Sequence, residues 1–255
     1  MAGPFPYALG QPVGARANMG LITLQADETI EYDMRRLMPQ QGVGLYVSRI
    51  RSAPDVTSET LAQMEQDLPA AAGLLPDPID FDVVGYGCTS GTSVIGPERI
   101  AELVSRNCRT KQVSDPLTAL IVACHAMQIK RLAVLSPYIE DVSKTLRRRL
   151  LEAHIETPLF GSFEEPLESN VARISHNSVV EAACALWSVQ SVDALFLSCT
   201  NLQTFEAIPA IEAVINAPVL SSNQVLAWHM QSLSGLLGLH HGPGRLFARR
   251  AWWHR

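Results

Sequence analysis

Two features of this 255-residue sequence predict an α/β fold made of two similar lobes, each built on a parallel sheet. Short continuous apolar runs alternate with helical segments, the pattern of βαβ units whose strands are buried on both faces. Two stretches also repeat one another. Phe81-Asp82-Val83-Val84-Gly85-Tyr86-Gly87-Cys88-Thr89-Ser90 aligns with Val192-Asp193-Ala194-Leu195-Phe196-Leu197-Ser198-Cys199-Thr200-Asn201, an offset of 111 residues. The same offset carries Leu24 to Leu135 and Asp27 to Tyr138, which lays strand 20–24 over strand 131–135. One offset linking two separate strand pairs indicates two copies of one lobe.

Residues 1–18 read as a loose arm. Strands follow at 20–24, 44–50 and 81–86, with a helix at 58–68 between the last two. A helix over 96–107 places Pro97 in its first turn, and one over 115–127 takes Asp115 as N-cap and Pro116 at its first position. The second series has strands at 131–135, 157–160, 192–197 and 218–221. Its helices span 138–153, 178–189 and 209–215, and a closing helix spans 223–237. The lobes divide as residues 1–122 with 222–255, the closing helix returning to the first lobe, and residues 123–221.

The composition, 47% hydrophobic and 18% charged, is that of a compact globular chain and too apolar for disorder. A formal net charge of −5 argues against a nucleic-acid partner. The one dense basic run in the body, Arg147-Arg148-Arg149, falls on a helix and reads as a solvated face. The first twenty residues are broken by Pro4, Pro6, Gly10, Pro12 and Gly14, so no secretory leader is expected. No apolar run approaches the ~20 residues of a membrane span. The expected location is the cytoplasm. Five scattered cysteines without a CxxC pair speak against a disulfide framework and a zinc site.

In open parallel sheets, ligands sit beyond the carboxyl ends of the strands. Cys88 and Cys199 both lie just past a strand end, as do Asp27 and Tyr138. With the lobes facing each other about a pseudo-twofold axis, all four side chains converge on one cleft. Each cysteine precedes Thr and then Ser or Asn (Thr89-Ser90, Thr200-Asn201) and a predicted helix. Backbone N–H groups at such a turn attract a carboxylate and are expected to lower a thiol pKa from its free value of ~8.5. A thiolate then serves as base or nucleophile, while the second thiol supplies a proton from the opposite face. Such a pair performs racemisation, epimerisation or cis–trans isomerisation with no cofactor. Cys108, Cys124 and Cys184 read instead as small buried hydrophobes. Asp27 has an alternative reading, as the cap of a helix from Ile30 onward.

Other motifs carry less. Gly87-Cys88-Thr89-Ser90-Gly91 is no G-x-S-x-G elbow, because its centre is Thr89. Walker and GxGxxG loops are absent from the sequence. His240-His241-Gly242-Pro243-Gly244 reads as a surface turn, and His125, His154, His176 and His229 show no ligand spacing. No metal is expected. Trp252-Trp253 suits packing on a neighbouring subunit, in keeping with an expected homodimer or homotetramer, or on the arm.

Gly20-Leu21-Ile22, Tyr86-Gly87-Cys88-Thr89-Ser90-Gly91, Ser136-Pro137-Tyr138, Leu197-Ser198-Cys199-Thr200-Asn201-Leu202 and Ser221-Ser222-Asn223-Gln224 together carry a resemblance along nearly the whole chain. The sequence resembles the aspartate/glutamate racemase superfamily, and within it the branch of maleate cis–trans isomerase, arylmalonate decarboxylase and the racemase-like proteins of ectoine utilisation. The resemblance implies two Rossmann-like lobes with four-stranded parallel sheets and the site between them. It implies that Cys88 matches a nucleophilic cysteine and Cys199 a proton-donating one. Tyr138 matches a tyrosine that binds substrate carboxylate, and Asn170 falls where the isomerases carry a substrate-binding asparagine. The decarboxylases keep only the second cysteine, so Cys88 disfavours their activity.

One departure concerns the loop Leu24-Gln25-Ala26-Asp27-Glu28-Thr29, where the isomerases carry a Pro-Ser-Ser-Asn-Thr type loop. An anionic Asp27 repels a carboxylate and pairs with an ammonium group, which favours an amino or diamino acid over maleate. The leading expectation is therefore an isomerase or racemase of a small carboxylic or amino acid. The alternatives are a malonate-type decarboxylase using Cys199 alone and a non-catalytic metabolite-binding protein on the same fold.

Overall fold

The computed structural model describes residues 3–39, 41–53, 57–236 and 242–248. Its elements in chain order are β1 (Ala17–Leu24), α1 (Ile30–Leu37), β2 (Val43–Ile50), α2 (Ser58–Ala72), β3 (Val83–Gly87), α3 (Thr89–Ile95), α4 (Pro97–Asn107), β4 (Val113–Ser114) and α5 (Pro116–Met127). The second series is β5 (Arg131–Ser136), α6 (Glu140–Glu152), β6 (Glu156–Ser162), α7 (Glu168–Val171), α8 (His176–Trp187), β7 (Ala194–Leu197), α9 (Ala207–Ile215), β8 (Val219–Ser221), α10 (Ser222–Leu233) and α11 (Gly244–Ala248).

The strands form two four-stranded parallel sheets with the same internal order, β2-β1-β3-β4 and β6-β5-β7-β8. The duplicated lobe read from the 111-residue offset is therefore present in the fold. In each sheet the chain leaves the first strand toward one side and returns on the other. This reversal places a topological switch point between β1 and β3, and another between β5 and β7. A crevice opens beyond the carboxyl ends of strands at such a point. The loops carrying Asp27 and Cys88 leave one switch point, and those carrying Tyr138 and Cys199 leave the other.

Alternation along the strands divides the core in two. One apolar cluster joins Met19, Leu21 and Val83 to Val134, Phe196 and Trp228. The other joins Ile22, Val84 and Tyr86 to Leu135, Leu195 and Leu197. Both clusters draw on both sheets. Burying each large side chain contributes about 1.5–3 kcal/mol, so the same residues that hold a lobe together also fix one lobe against the other. From β8 the chain passes into α10, which packs on α5, β3 and α1, with Gln231 Nε2 donating to Leu37 O at 2.9 Å.

Several elements differ from the sequence reading. β1 begins at Ala17, inside the expected arm, while residues 3–13 are exposed. β4 is two residues long, too short to show a period. The helical stretch after Cys88 is broken in two at Gly96, whose φ of +98° only glycine adopts without strain, and Pro97 opens the second piece. Asp115 caps α5 as expected, its Oδ1 accepting from Thr118 N at 2.8 Å. α10 ends at Leu233. His240, His241, Trp252 and Trp253 lie outside the described residues. Among the described residues no helix is long and apolar enough to cross a membrane, and no cluster of three or more His, Cys, Asp or Glu side chains could hold a metal.

Candidate active site

Cys88 follows β3 and caps α3, with its Sγ accepting from Gly91 N at 3.2 Å. Thr89 and Ser90 open that helix, where N–H groups have no intrahelical carbonyl to bond. Cys199 follows β7 in a different way. A run of bends comes after it, and the next helix, α9, starts only at Ala207. The expected helix directly after Cys199 is thus absent. Cys199 instead has φ +136°, a strained position for a side-chain-bearing residue, worth about 1–3 kcal/mol. The strain is held by Ser222 Oγ, which accepts from Cys199 N at 3.0 Å and from Thr89 Oγ1 at 2.7 Å. One buried hydroxyl therefore ties both cysteine loops together. Thr200 Oγ1 adds a second tie, donating to Gly87 O at 3.3 Å.

Cys88, Thr89, Ser90, Tyr138, Cys199 and Thr200 line one cavity, with Leu24, Leu61 and Glu168. The structure so brings six of the nine expected site residues to one place. The cavity is about 10 Å³, room for about one water. A larger cavity of about 410 Å³ flanks the Asp27 loop, lined among others by Glu28, Asp33 and Arg36, but it holds no thiol. The smaller one carries the reactive groups.

Three expected residues are placed differently. Asn170 is exposed on α7 and is not part of the lining. Asn201 is buried, but its carboxamide is fully engaged by protein. Its Oδ1 accepts from Glu28 N at 2.9 Å, and its Nδ2 donates to Glu168 Oε2 at 2.8 Å and Glu168 O at 3.0 Å. Asn201 is thus a clamp between the loops. Asp27 caps α1, its Oδ1 accepting from Thr29 N and Ile30 N at 2.8 Å each. Its Oδ2 is buried without a hydrogen-bond partner, since the nearby Thr200 hydroxyl is turned to Gly87 O. Burial pushes the Asp27 carboxyl up to about 6.

Glu168 was missed by sequence reasoning. Its side chain is buried, accepts from Tyr138 Oη at 2.6 Å through Oε1, and faces the thiols. Helical spacing held a faint signal, because Glu168 shares a face with the buried Val171 three residues on. Glu164 and Glu165 just before it hid that signal.

The thiols are not acidified, contrary to the expectation from their turns. Burial pushes Cys88 up to about 12, outweighing the Gly91 N–H that favours its thiolate, with Glu168 and Asp27 adding to the rise. Burial first and Glu168 second hold Cys199 well above the ordinary thiol range, against the hydrogen-bonded contact with Tyr138, which lowers it. Desolvation of a charge deep in a protein exceeds what one or two N–H dipoles return. No Lys, Arg or His lines the cavity. It is a neutral-to-acidic chamber holding two protonated thiols.

Fold and cleft together define a two-lobed α/β protein with paired thiols at matching strand ends. The family model described as arylmalonate decarboxylase matches residues 98–247, and the chain belongs to that family. It is 24% identical to a maleate isomerase of Pseudomonas putida over 251 residues, covering 95% of this chain and 97% of that protein. It is 30% identical to an arylmalonate decarboxylase of Bordetella bronchiseptica over 132 residues, 51% of this chain and 55% of that protein. Among solved structures, the maleate isomerase of Pseudomonas putida S16 superposes with a TM-score of 0.82 at 23% identity, over 92% of this chain and 99% of that one. A mutant Nocardia farcinica maleate cis-trans isomerase carrying a covalently bound succinylcysteine intermediate superposes with a TM-score of 0.80 at 24% identity, over 91% of this chain and 98% of that one. These likenesses establish the shared fold.

Proposed function

We propose that this protein is a cofactor-independent isomerase or racemase of a small organic acid, working through Cys88 and Cys199. The observation that carries the reading is that two thiols from equivalent strand ends of two lobes line one small cavity. Sulfur on either side of a substrate carbon can remove a proton from one face and return one to the other. The same pair can add to an activated double bond and release it after rotation, and the succinylcysteine held by the Nocardia farcinica enzyme supports that route.

The charge of the cavity bears on the substrate. Glu168 lines it, Asp27 raises both thiols, and no cation balances them. Two like unit charges about 5 Å apart repel by about 3 kcal/mol at an effective dielectric of 20. A dicarboxylate dianion such as maleate meets that repulsion twice. A zwitterionic amino acid, including the diamino acids suggested by the ectoine-utilisation resemblance, offsets it with its ammonium group. A second reading, decarboxylation of a substituted malonate through Cys199, is favoured by the family match. Cys88 weighs against it.

The test is a substrate panel in deuterated water with mass and chiral detection: maleate, aspartate, glutamate, diaminobutyrate derivatives and aryl malonates. The expected result is one deuterium gained at the α-carbon of an amino acid, with loss of optical purity. Release of carbon dioxide from an aryl malonate, abolished by Cys199→Ala but not by Cys88→Ala, would establish the second reading. Tight binding with no turnover of any compound would leave a metabolite-binding protein.

A further inference from the structure

A buried thiol with no cation beside it cannot release its proton to bulk water without leaving a new buried charge, which is expensive. Cys88 and Cys199 share that difficulty, but their neighbours differ. Cys88 Sγ accepts from the Gly91 N–H at 3.2 Å, and its further contacts are the Ser90 N–H and the Tyr86 hydroxyl, none of them a carboxylate. Cys199 Sγ lies 3.1 Å from Tyr138 Oη, and Tyr138 Oη lies 2.6 Å from Glu168 Oε1. Three groups therefore stand in one hydrogen-bonded row that ends on a carboxylate.

The direction of that row follows from proton counting. Asn201 Oδ1 accepts from Glu28 N, so its Nδ2 faces Glu168 and donates to Oε2. Oε2 is thus an acceptor. An ionised Glu168 offers only acceptors, so Tyr138 gives its single proton to Oε1. The Tyr138 oxygen then accepts, and Cys199 S–H is the donor across the 3.1 Å contact.

We propose that Glu168 is the proton acceptor of Cys199, reached through the hydroxyl of Tyr138. In one concerted step the Cys199 S–H bond breaks as a new O–H bond forms on Tyr138, while the original Tyr138 proton passes to Glu168 Oε1. Thiolate, neutral tyrosine and neutral carboxylic acid result. The negative charge moves from carboxylate to sulfur and the charge of the chamber does not change, so the cost of creating a buried ion is avoided. The reverse step returns the proton. Cys199 can then act as base in one direction and acid in the other without contact with bulk water. Glu168 is a positioning residue, since it acts on Cys199 through Tyr138. Tyr138, matched by resemblance to a carboxylate binder, has its hydroxyl committed to this row.

The inference rests on Cys199 being a working thiol and not on the identity of the substrate, so its test needs no substrate. Alkylation by iodoacetamide is followed from pH 5 to 9 by peptide mass spectrometry, in the wild type and in Glu168→Gln, Tyr138→Phe and Glu168→Asp. Only thiolate reacts. An internal acceptor fixes the thiolate fraction, so the wild-type Cys199 rate should be flat near neutrality. In Glu168→Gln and Tyr138→Phe it should fall at least about tenfold at pH 7 and then rise about tenfold per pH unit, as hydroxide replaces the acceptor. Glu168→Asp should recover part of the rate. An unchanged circular dichroism spectrum and a Cys88 rate that does not fall report an intact fold, since removing the Glu168 charge eases ionisation of Cys88. Cys124, buried and also pushed up to about 12 by burial, is the internal reference. Equal pH slopes in all four proteins, or a wild-type Cys199 no faster than Cys124 at pH 7, would overturn the proposal. A flat Cys199 profile with a silent substrate panel would instead keep the relay and remove the isomerase reading.

Discussion

Replacing Asp27 by asparagine should stabilise the protein above neutral pH and matter progressively less in acid. The carboxyl rises from an ordinary 3.8 to about 6, with burial as the leading cause. The fold therefore favours the protonated form. Stability from this group is fully present below 3.8 and is lost as pH rises through about 6. At 1.36 kcal/mol per pH unit, the loss is about 1.6 kcal/mol at pH 5 and about 3 kcal/mol at pH 8. Asparagine carries no such loss and keeps the cap, because its amide oxygen can still accept from Thr29 N and Ile30 N. Asp115, also pushed up to about 6 by burial, titrates alike in both proteins, while Asp33, raised to about 6 by burial and in small part by the Asp27 charge, is eased in the variant and acts in the same direction. Urea unfolding of both proteins at pH 5 and pH 8 measures it. The advantage of the variant should widen by about 1.4 kcal/mol between the two. A constant difference, or one that narrows with pH, would refute the assignment of Asp27 as a buried, incompletely paired cap.

Two further substitutions probe the loops. Ser222→Ala strands the Thr89 hydroxyl and the Cys199 N–H, both buried, and should cost about 1–3 kcal/mol in urea unfolding while lowering turnover through both cysteine loops. A variant as stable and active as wild type would show that the hydroxyl does not join the lobes. Gly91→Ala places a methyl 2.9 Å from Cys88 Sγ and 2.8 Å from Tyr86 Oη, so it should cost about 1–3 kcal/mol and change the Cys88 alkylation rate. An unchanged rate at Cys88 would place that sulfur elsewhere.

What the sequence made legible was what is local or repeated. β1, β3, β5 and β7 are apolar runs buried on both faces, and their repeat located both cysteines, Asp27 and Tyr138 at strand ends. The Asp27 cap was open to reading because its partners lie two and three residues away. Glu168 was not, because its burial depends on Tyr138 and Asn201, 30 and 33 residues distant. The same distance misdirected the reading of Asn201. Residue type showed a polar group near the cysteine, but only the fold shows it turned toward Glu28 and Glu168. Thiol acidity went the other way for a related reason. The turn dipoles are visible in sequence, whereas burial and the charges of Glu168 and Asp27 arise from packing.

The central claim is that both sulfurs handle one substrate. It is tested most directly by steady-state turnover of the panel's active compound by wild type, Cys88→Ala and Cys199→Ala. Loss of either acid–base group should lower kcat by at least about 10²-fold, with circular dichroism unchanged. Wild-type turnover by either single variant would contradict the account.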